Sequence, residues 1–284
     1  MATLKQLRRR IRSIKNTQQI TKAMEMVAAA KLRRAQGRAL ASRPYAQKTS
    51  EMLQSLAAAA ATLSHPLFEQ RPVETTSLVV VASDKGLCGS FNMNVFRQLE
   101  RQFEAEARRG VSLYPVGRRA NLYFGKRDWT IDGKVPQLGD QLDFEKARLL
   151  ALELTNAFIA GKTDKVQLMY TKFRTVASRE VVIEDLLPIV PREDAEGAVA
   201  GYIFEPSPER IFDTLLPRYV QNRVLQAMAE SIASEHAARM LAMGAATKNA
   251  KEVLGNLSLQ ANRMRQAAIT KEILDIVGGA EALK

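Results

Sequence analysis

The hydrophobic pattern is most regular at the C-terminal end of the chain. From Leu225 onward, apolar or small residues recur every three or four positions: Leu225, Met228, Ile232, His236, Met240, Met243, Thr247, Ala250, Leu254, Leu257, Ala261, Met264 and Ala268. That spacing lines one face of an α-helix, and only His236 and Thr247 interrupt it with polar groups. Pro217 is the last proline, so no ring forces a break downstream. Gly244 and Gly255 each weaken the helix by about 1 kcal/mol relative to alanine, which a long periodic segment absorbs. At about 1.5 Å per residue the predicted helix is on the order of 100 Å long. An ordinary globular domain cannot bury such a rod. It has to pair with a second helix or lie inside a larger assembly.

Residues 3 to 60 predict the companion. Leu4, Leu7, Ile11 and Ile14 form a three-four stripe, and the pattern reads as resuming at Ile20, Met24, Val27 and Ala30 after a polar shift at Gln18 and Gln19. Alanines at 28–30 and 57–61 favour helix and let a neighbour approach closely. Pro44 is expected to bend this rod or divide it. On the residues alone, the two terminal helices could pair parallel or antiparallel.

Between residues 75 and 205 the period changes. Leu78 to Ala82 is a short apolar run that ends in Ser83-Asp84-Lys85-Gly86, a buried strand entering a loop. Asn94–Arg109 and Phe144–Ala160 read as amphipathic helices, and Val111–Val116, Val166–Phe173, Val181–Leu187 and Gly201–Phe204 as further strands. Strand–helix–strand alternation predicts an α/β domain with a mostly parallel sheet. Pro191 to Ala200 has the make-up of an exposed loop. The expected organisation is therefore three-part: an N-terminal helix over 1–60, an α/β domain over 75–205 and a C-terminal helix over 206–284.

Charge sharpens this picture. The chain of 284 residues carries a net charge of +12. Residues 1–50 hold thirteen Lys and Arg against Glu25 alone, so they carry that whole excess and the remainder balances to zero. Such asymmetry predicts an acidic partner: nucleic acid, anionic lipid or an acidic protein surface. Hydrophobic content of 46% supports a packed core. The single cysteine, Cys88, excludes an intramolecular disulfide and a cysteine-rich zinc site. No apolar run of signal-peptide or membrane-spanning length follows the basic N-terminus, so the expectation is a soluble or peripheral chain.

Candidate chemistry is sparse. The loop Asp84 to Asn92 lies between a strand and a helix, where phosphates are often cradled. It lacks the Lys-Ser/Thr pair of a P-loop and the Gly-x-Gly-x-x-Gly of a dinucleotide loop, so Gly86 and Gly89 read as a tight turn. Cys88 has only His65 and His236 to activate it and reads as an inert buried thiol. Those three residues cannot build an ordinary catalytic zinc site. His236 and the methionines of the C-terminal stripe read as packing residues. The residues predict a chain that binds and moves, with no catalytic residues, no cofactor and no metal of its own.

Four stretches carry a resemblance. Ile20 to Leu32 (ITKAMEMVAAAKL) is similar to the N-terminal helix of the γ-subunit family of the bacterial rotary ATP synthase, and Ser83 to Asn92 resembles that family's central loop. Ala233–Met240 and Asn262–Ile273 continue it, and the pattern Ile-Thr-x-Glu-x-x-Asp/Glu-x-x-x-Gly-Ala is met by Ile269, Thr270, Glu272, Asp275, Gly279 and Ala280. The likeness runs from end to end, with Ser90 standing where a glycine is common. No cysteine-bearing regulatory insertion of the chloroplast type is present, so thiol control is not implied.

The resemblance implies a long antiparallel two-helix coiled coil formed by the termini, with a central Rossmann-like α/β domain as the foot. It implies one copy per complex, as a shaft inside three α and three β subunits, with the foot on the ε subunit and the c-ring. ATP, ADP and magnesium would sit on the α and β subunits. Membrane association would be peripheral and indirect, through the c-ring at the cytoplasmic face of the bacterial inner membrane. By the same likeness, Met24, Arg239, Arg263, Arg265, Gln266, Thr270 and Glu272 would touch the β-subunit loops. Ile269, Ile273, Ile276, Val277 and Leu283 would form an apolar bearing tip, and Tyr202 and Glu205 would meet the c-ring or ε. The rival expectation is a basic coiled-coil protein that binds nucleic acid. Tyr45 is the only aromatic residue of the basic segment, which counts against stacking on single strands.

Overall fold

The computed structural model describes residues 3–59, 65–103, 107–190 and 208–281, with side chains of the first helix placed as far as Gly37. Two helices dominate the secondary structure: α1 (Leu4–Ala59) and α5 (Pro208–Glu281). Between them run β1 (Thr76–Val81), α2 (Phe91–Gln102), β2 (Val111–Val116), α3 (Arg118–Phe124), β3 (Thr130–Ile131), α4 (Phe144–Ile159), β4 (Lys165–Phe173) and β5 (Arg179–Leu187). The chain forms two compact units, one of Met1–Ala28 with Arg239–Lys284 and one of Ala29–Ala238.

In the second unit the sheet order is β3-β2-β1-β4-β5. The first four strands are parallel, and β5 returns antiparallel to β4. This is a Rossmann-like, doubly wound sheet whose strand order reverses at β1 and β4. Both faces are covered, which is why β1 reads as a continuous apolar run instead of an alternating one. Leu78 and Val80 pack with Val95, Leu99 and Phe124 under α2 and α3. Val79 and Val81 pack with Leu150, Leu154, Phe158, Phe212 and Val220 under α4 and the start of α5.

Most of the elements read from the sequence are present, with ends shifted by a few residues. Three differences have physical causes. First, α1 is not divided at Pro44, one of the two outcomes expected there: it is one helix through that residue. Proline removes one backbone donor, and the turns on either side retain their own hydrogen bonds. Second, the helix expected over Asn94–Arg109 begins at Phe91 and ends at Gln102, with a separate short turn at Ala107–Gly110. Third, α3 and β3 were not foreseen; they span seven and two residues and lack a periodic signature of their own. The predicted strand Gly201–Phe204 and loop 191–200 lie outside the described residues.

The first unit is a helix pair. The Thr247 hydroxyl donates to Thr21 Oγ1 at 2.8 Å. A methyl group placed on Gly244 would meet the Glu25 carboxylate at 3.5 Å. Position 21 thus faces 247 and 25 faces 244, so the helices are antiparallel.

Candidate functional site

The seam of that pair follows from helical spacing. On α5, Thr247, Ala250, Leu254, Leu257, Ala261 and Met264 are half-buried, and the residues between Ala250 and Met264 that are off this stripe are exposed. This is the stripe read from the sequence. It ends at Met264, and Ala268, the last member of the predicted stripe, is exposed. The pairing arithmetic explains the end: at the register of Thr21 with Thr247, Leu4 stands opposite residue 264, and α1 has no earlier turn to offer.

On α1 beyond Ile14 the sequence reading holds at Met24 and fails at Ile20, Val27 and Ala30, which are exposed. The covered positions include Leu4, Leu7, Ile11, Ile14, Gln18, Thr21, Glu25 and Ala28, a three-four alternation, with Met24 half-buried beside Glu25. No shift occurs at Gln18 and Gln19. Ile20 and Val27 face outward, 60% and 54% exposed. Geometry decided this contest, because a helix pair holds its spacing and the seam is open enough to keep polar groups solvated or bonded. The Thr21 hydroxyl donates to the Gln18 carbonyl at 3.1 Å and accepts from Thr247. Ala28, 1% exposed, supplies the close approach expected of the alanine run.

The residues that resemblance assigned to partners fall into two groups. Met24 is half-buried and Arg239 buried, whereas Arg263, Arg265, Gln266, Thr270 and Glu272 are exposed. Ile269, Ile273, Ile276 and Val277 are also exposed, as is Leu274, which the sequence reading left out. From Arg265 onward every described side chain of α5 is exposed, so this tip is a single helix, about 25 Å long at 1.5 Å per residue. A lone helix of that length is marginal in water, and its bare isoleucines call for a surrounding partner. Leu283, Tyr202 and Glu205 lie outside the described residues.

In the second unit, the central loop is built as a tie. The Asp84 carboxylate accepts the backbone N–H groups of Arg118, Leu138 and Gly139 at 2.8–3.0 Å. An internal carboxylate therefore fills the kind of amide nest that could otherwise hold a phosphate. Gly117, at φ 94°, lets this turn press on the Ala82 carbonyl, where any side chain would collide. Cys88 is 2% exposed, with the Asn92 side-chain amide 3.4 Å from its sulfur, in keeping with an inert thiol.

Next to the loop, Asp140 accepts from Lys31 of α1 at 2.8 Å and from Lys85 at 3.2 Å. The Lys31 hydrogen bond, against an opposing cost of burial and with help from Lys85, holds the Asp140 carboxyl down at about 2. Lys31, Arg34, Asp140 and Gln141 edge a cavity of about 280 Å³ floored by Leu142 and Ile232. No cluster of three or more metal-ligating side chains occurs among the described residues. None of the described helices is long and apolar enough to cross a membrane.

Fold and site define a class: an α/β domain combined with an antiparallel pair of terminal helices, one running past the other as a bare tip. Residues 3–283 match the ATP synthase family. The ATP synthase gamma chain of Desulforamulus reducens is 46% identical over 285 residues, covering all of both chains. That of Geobacter metallireducens is also 46% identical, over 288 residues and the full length of both. Among solved structures, the central stalk/c-ring assembly of the Tetrahymena thermophila mitochondrial ATP synthase contains a chain 28% identical, with a TM-score of 0.63 over 80% of this chain and 99% of that one. A chain of the Euglena gracilis mitochondrial ATP synthase, 22% identical, shares the fold with a TM-score of 0.71 over 99% and 94% of the two chains. This chain belongs to the ATP synthase gamma-chain family, and as a gamma chain it is a subunit of the synthase complex and part of its central stalk. The nucleic-acid reading finds no support in these relatives.

Proposed function

We propose that this chain is the rotor shaft of a proton-driven ATP synthase and carries torque between a membrane c-ring and catalytic sites on β subunits. The observation that carries the proposal is the single helix beyond Met264, whose bare isoleucines make sense only inside a collar. The paired helices below it give stiffness, and the α/β domain gives a foot. Nonpolar contact has little angular preference, so Ile269, Ile273, Ile276, Val277 and Leu283 can turn within an apolar sleeve. Exposed Arg263 and Arg265, with Gln266, Thr270 and Glu272, present hydrogen-bonding groups to β-subunit loops near the shaft's upper part. Guanidinium groups suit that contact because they grip carboxylates in a planar, bidentate fashion. Met24 and Arg239 sit at the paired part of the shaft and bear on the same loops. Tyr202 and Glu205 belong to the foot's contact with the c-ring or ε.

On this reading the chain is non-catalytic and holds no cofactor. ATP, ADP and magnesium bind to the three α and three β subunits around it. One copy serves each complex, held indirectly at the cytoplasmic face of the inner membrane. Shaft angle biases the state of each catalytic site, and site occupancy reciprocally biases shaft angle. Affinity purification of the tagged chain from its own membranes tests this. The expected result is recovery of α and β at three copies each per chain, with ε and c. Recovery of the chain alone, or with nucleic acid that resists salt, would overturn it.

A further inference from the structure

In a doubly wound sheet the ligand crevice lies beyond the carboxyl ends of the strands, at the point where strand order reverses. Here that point lies between β1 and β4, and α5 occupies it. β4 outruns its parallel neighbour: pairing with β1 stops at Val80 and Met169, while β4 continues to Phe173. The overhanging edge would leave buried backbone groups unpaired, which is costly. α5 pairs them instead. Thr171 N–H donates to Ser231 Oγ at 3.3 Å, and the Ser234 hydroxyl donates to the Thr171 carbonyl at 3.0 Å. Phe173 N–H reaches Glu230 Oε2 at 3.4 Å. On the β1 side of the crevice, Ala238 packs with Cys88 and Phe91 at the start of α2. Ser231 and Ser234 are both 0% exposed.

A second grip lies further back on the same helix. Arg223 donates to Glu184 of β5 at 2.9 Å, and Glu184 also accepts from Lys172 and the Tyr170 hydroxyl. Burial pushes the Glu184 carboxyl up, but Lys172 and Arg223 together outweigh it and hold the group below the usual carboxylate range.

We infer that this fold's ligand crevice has become the socket of the shaft, and that Ser231 and Ser234 are positioning residues that key α5 to the sheet. This inference rests on the rotor reading above. Apolar packing alone is non-directional and lets a loaded helix slide or turn against a sheet. Hydrogen bonds fix distance and angle together, so two of them on one residue, one to its N–H and one to its carbonyl, resist both motions. The same occupancy fits the absence of a nucleotide motif from the central loop: Ser231, Ser234 and Ala238 lie in the crevice.

The test uses the complete complex reconstituted with this chain, comparing the double variant Ser231→Ala/Ser234→Ala with Ser77→Ala. Ser77 is a buried serine whose hydroxyl meets Ser112 within the sheet and serves as the control for a purely structural loss. At matched subunit content, the double variant is expected to keep its ATP hydrolysis while protons pumped per ATP fall by half or more, and Ser77→Ala is expected to keep the native ratio. An unchanged ratio in the double variant overturns the key. Should the double variant not assemble, amide exchange in the isolated full chain decides: Ser231→Ala should speed exchange at Thr171 about tenfold, as for loss of one buried hydrogen bond, with no change there in Ser77→Ala. Unaltered exchange at Thr171 likewise overturns the proposal. If the native chain restores no pumping to a complex lacking it, the rotor reading fails, and the exchange result still judges the socket.

Discussion

The two units of this chain are held together in different ways. In the α/β unit, helices cover both faces of a sheet, and Leu78, Leu99, Leu113, Leu154 and Phe158 are fully buried. In the helix pair, one stripe from each helix is half-covered, and beyond Leu7 and Ala28 few apolar side chains of that unit are fully enclosed. A two-helix seam has too little width to exclude water from both sides. The lesson is that the α/β unit encloses a core of its own, whereas the pair leaves much of its apolar surface uncovered. The exposed Ile20, Val27, Ile269, Ile273 and Ile276 mark where a covering partner is expected.

The largest effect should come from breaking the cored unit. Leu154→Ala removes a fully buried side chain under α4 and should cost about 3 kcal/mol in chemical unfolding of the chain. Leu257→Ala, in the half-covered seam, should cost about 1 kcal/mol. Equal costs would mean that the seam is buried as deeply as the core. Smaller, but sharper on register, is a pair of glutamines. Ala28→Gln places a long polar chain where only a methyl fits and should abolish disulfide formation between cysteines introduced at Thr21 and Thr247. Ile20→Gln, on the outer face, should leave that cross-link intact. The reverse order would restore the shifted register that the sequence suggested.

Met24→Lys comes next, and its effect should fall on coupling more than on stability. A cation there meets other basic groups of α1 or an unplanned acidic partner. Proton pumping per ATP should therefore drop in a complex that still assembles. Parallel loss of assembly and coupling would deny Met24 a special role. The smallest effect is at Asp140, whose carboxylate bridges Lys31 and Lys85 while remaining more than a third exposed. Asp140→Asn should cost under about 1 kcal/mol, as for other solvent-exposed ion pairs. Because the folded-state value is depressed, the pair's contribution is complete above the ordinary aspartate value near 4 and is lost as pH falls through about 2. A melting curve whose acid limb is identical in wild type and variant would remove the bridge from the account.

Much of this was legible in the sequence, because periodicity reports burial directly. The α5 stripe from Leu225 to Met264 matches the covered residues, and the runs at Leu78, Val111 and Val166 became parallel strands, with Val181–Leu187 returning antiparallel. What misled was treating hydrophobicity as the marker of the seam on α1. Ile20 and Val27 look like seam residues because they are apolar, yet the pair buries Thr21 and Ala28, whose value lies in a hydroxyl partner and in small size. Asp84 and Asp140 were likewise invisible as ties, since their partners are backbone amides and lysines far away in sequence. Ser231 and Ser234 gave no signal at all: their role depends on β4 outrunning β1, which no local pattern records. The end of the stripe at Met264 follows from the register of Thr21 with Thr247, which no local pattern reveals either, since a partner beginning at Leu4 runs out there.

The central claim is that this chain turns as a shaft. The direct measurement fixes the α and β subunits of the reconstituted complex to a surface and follows a probe on an introduced cysteine at exposed Lys126 of the α/β unit during ATP hydrolysis. The account predicts stepwise rotation in one sense, stopped when the chain is cross-linked to a β subunit and resumed on reduction. Steady ATP turnover with a stationary probe would contradict it.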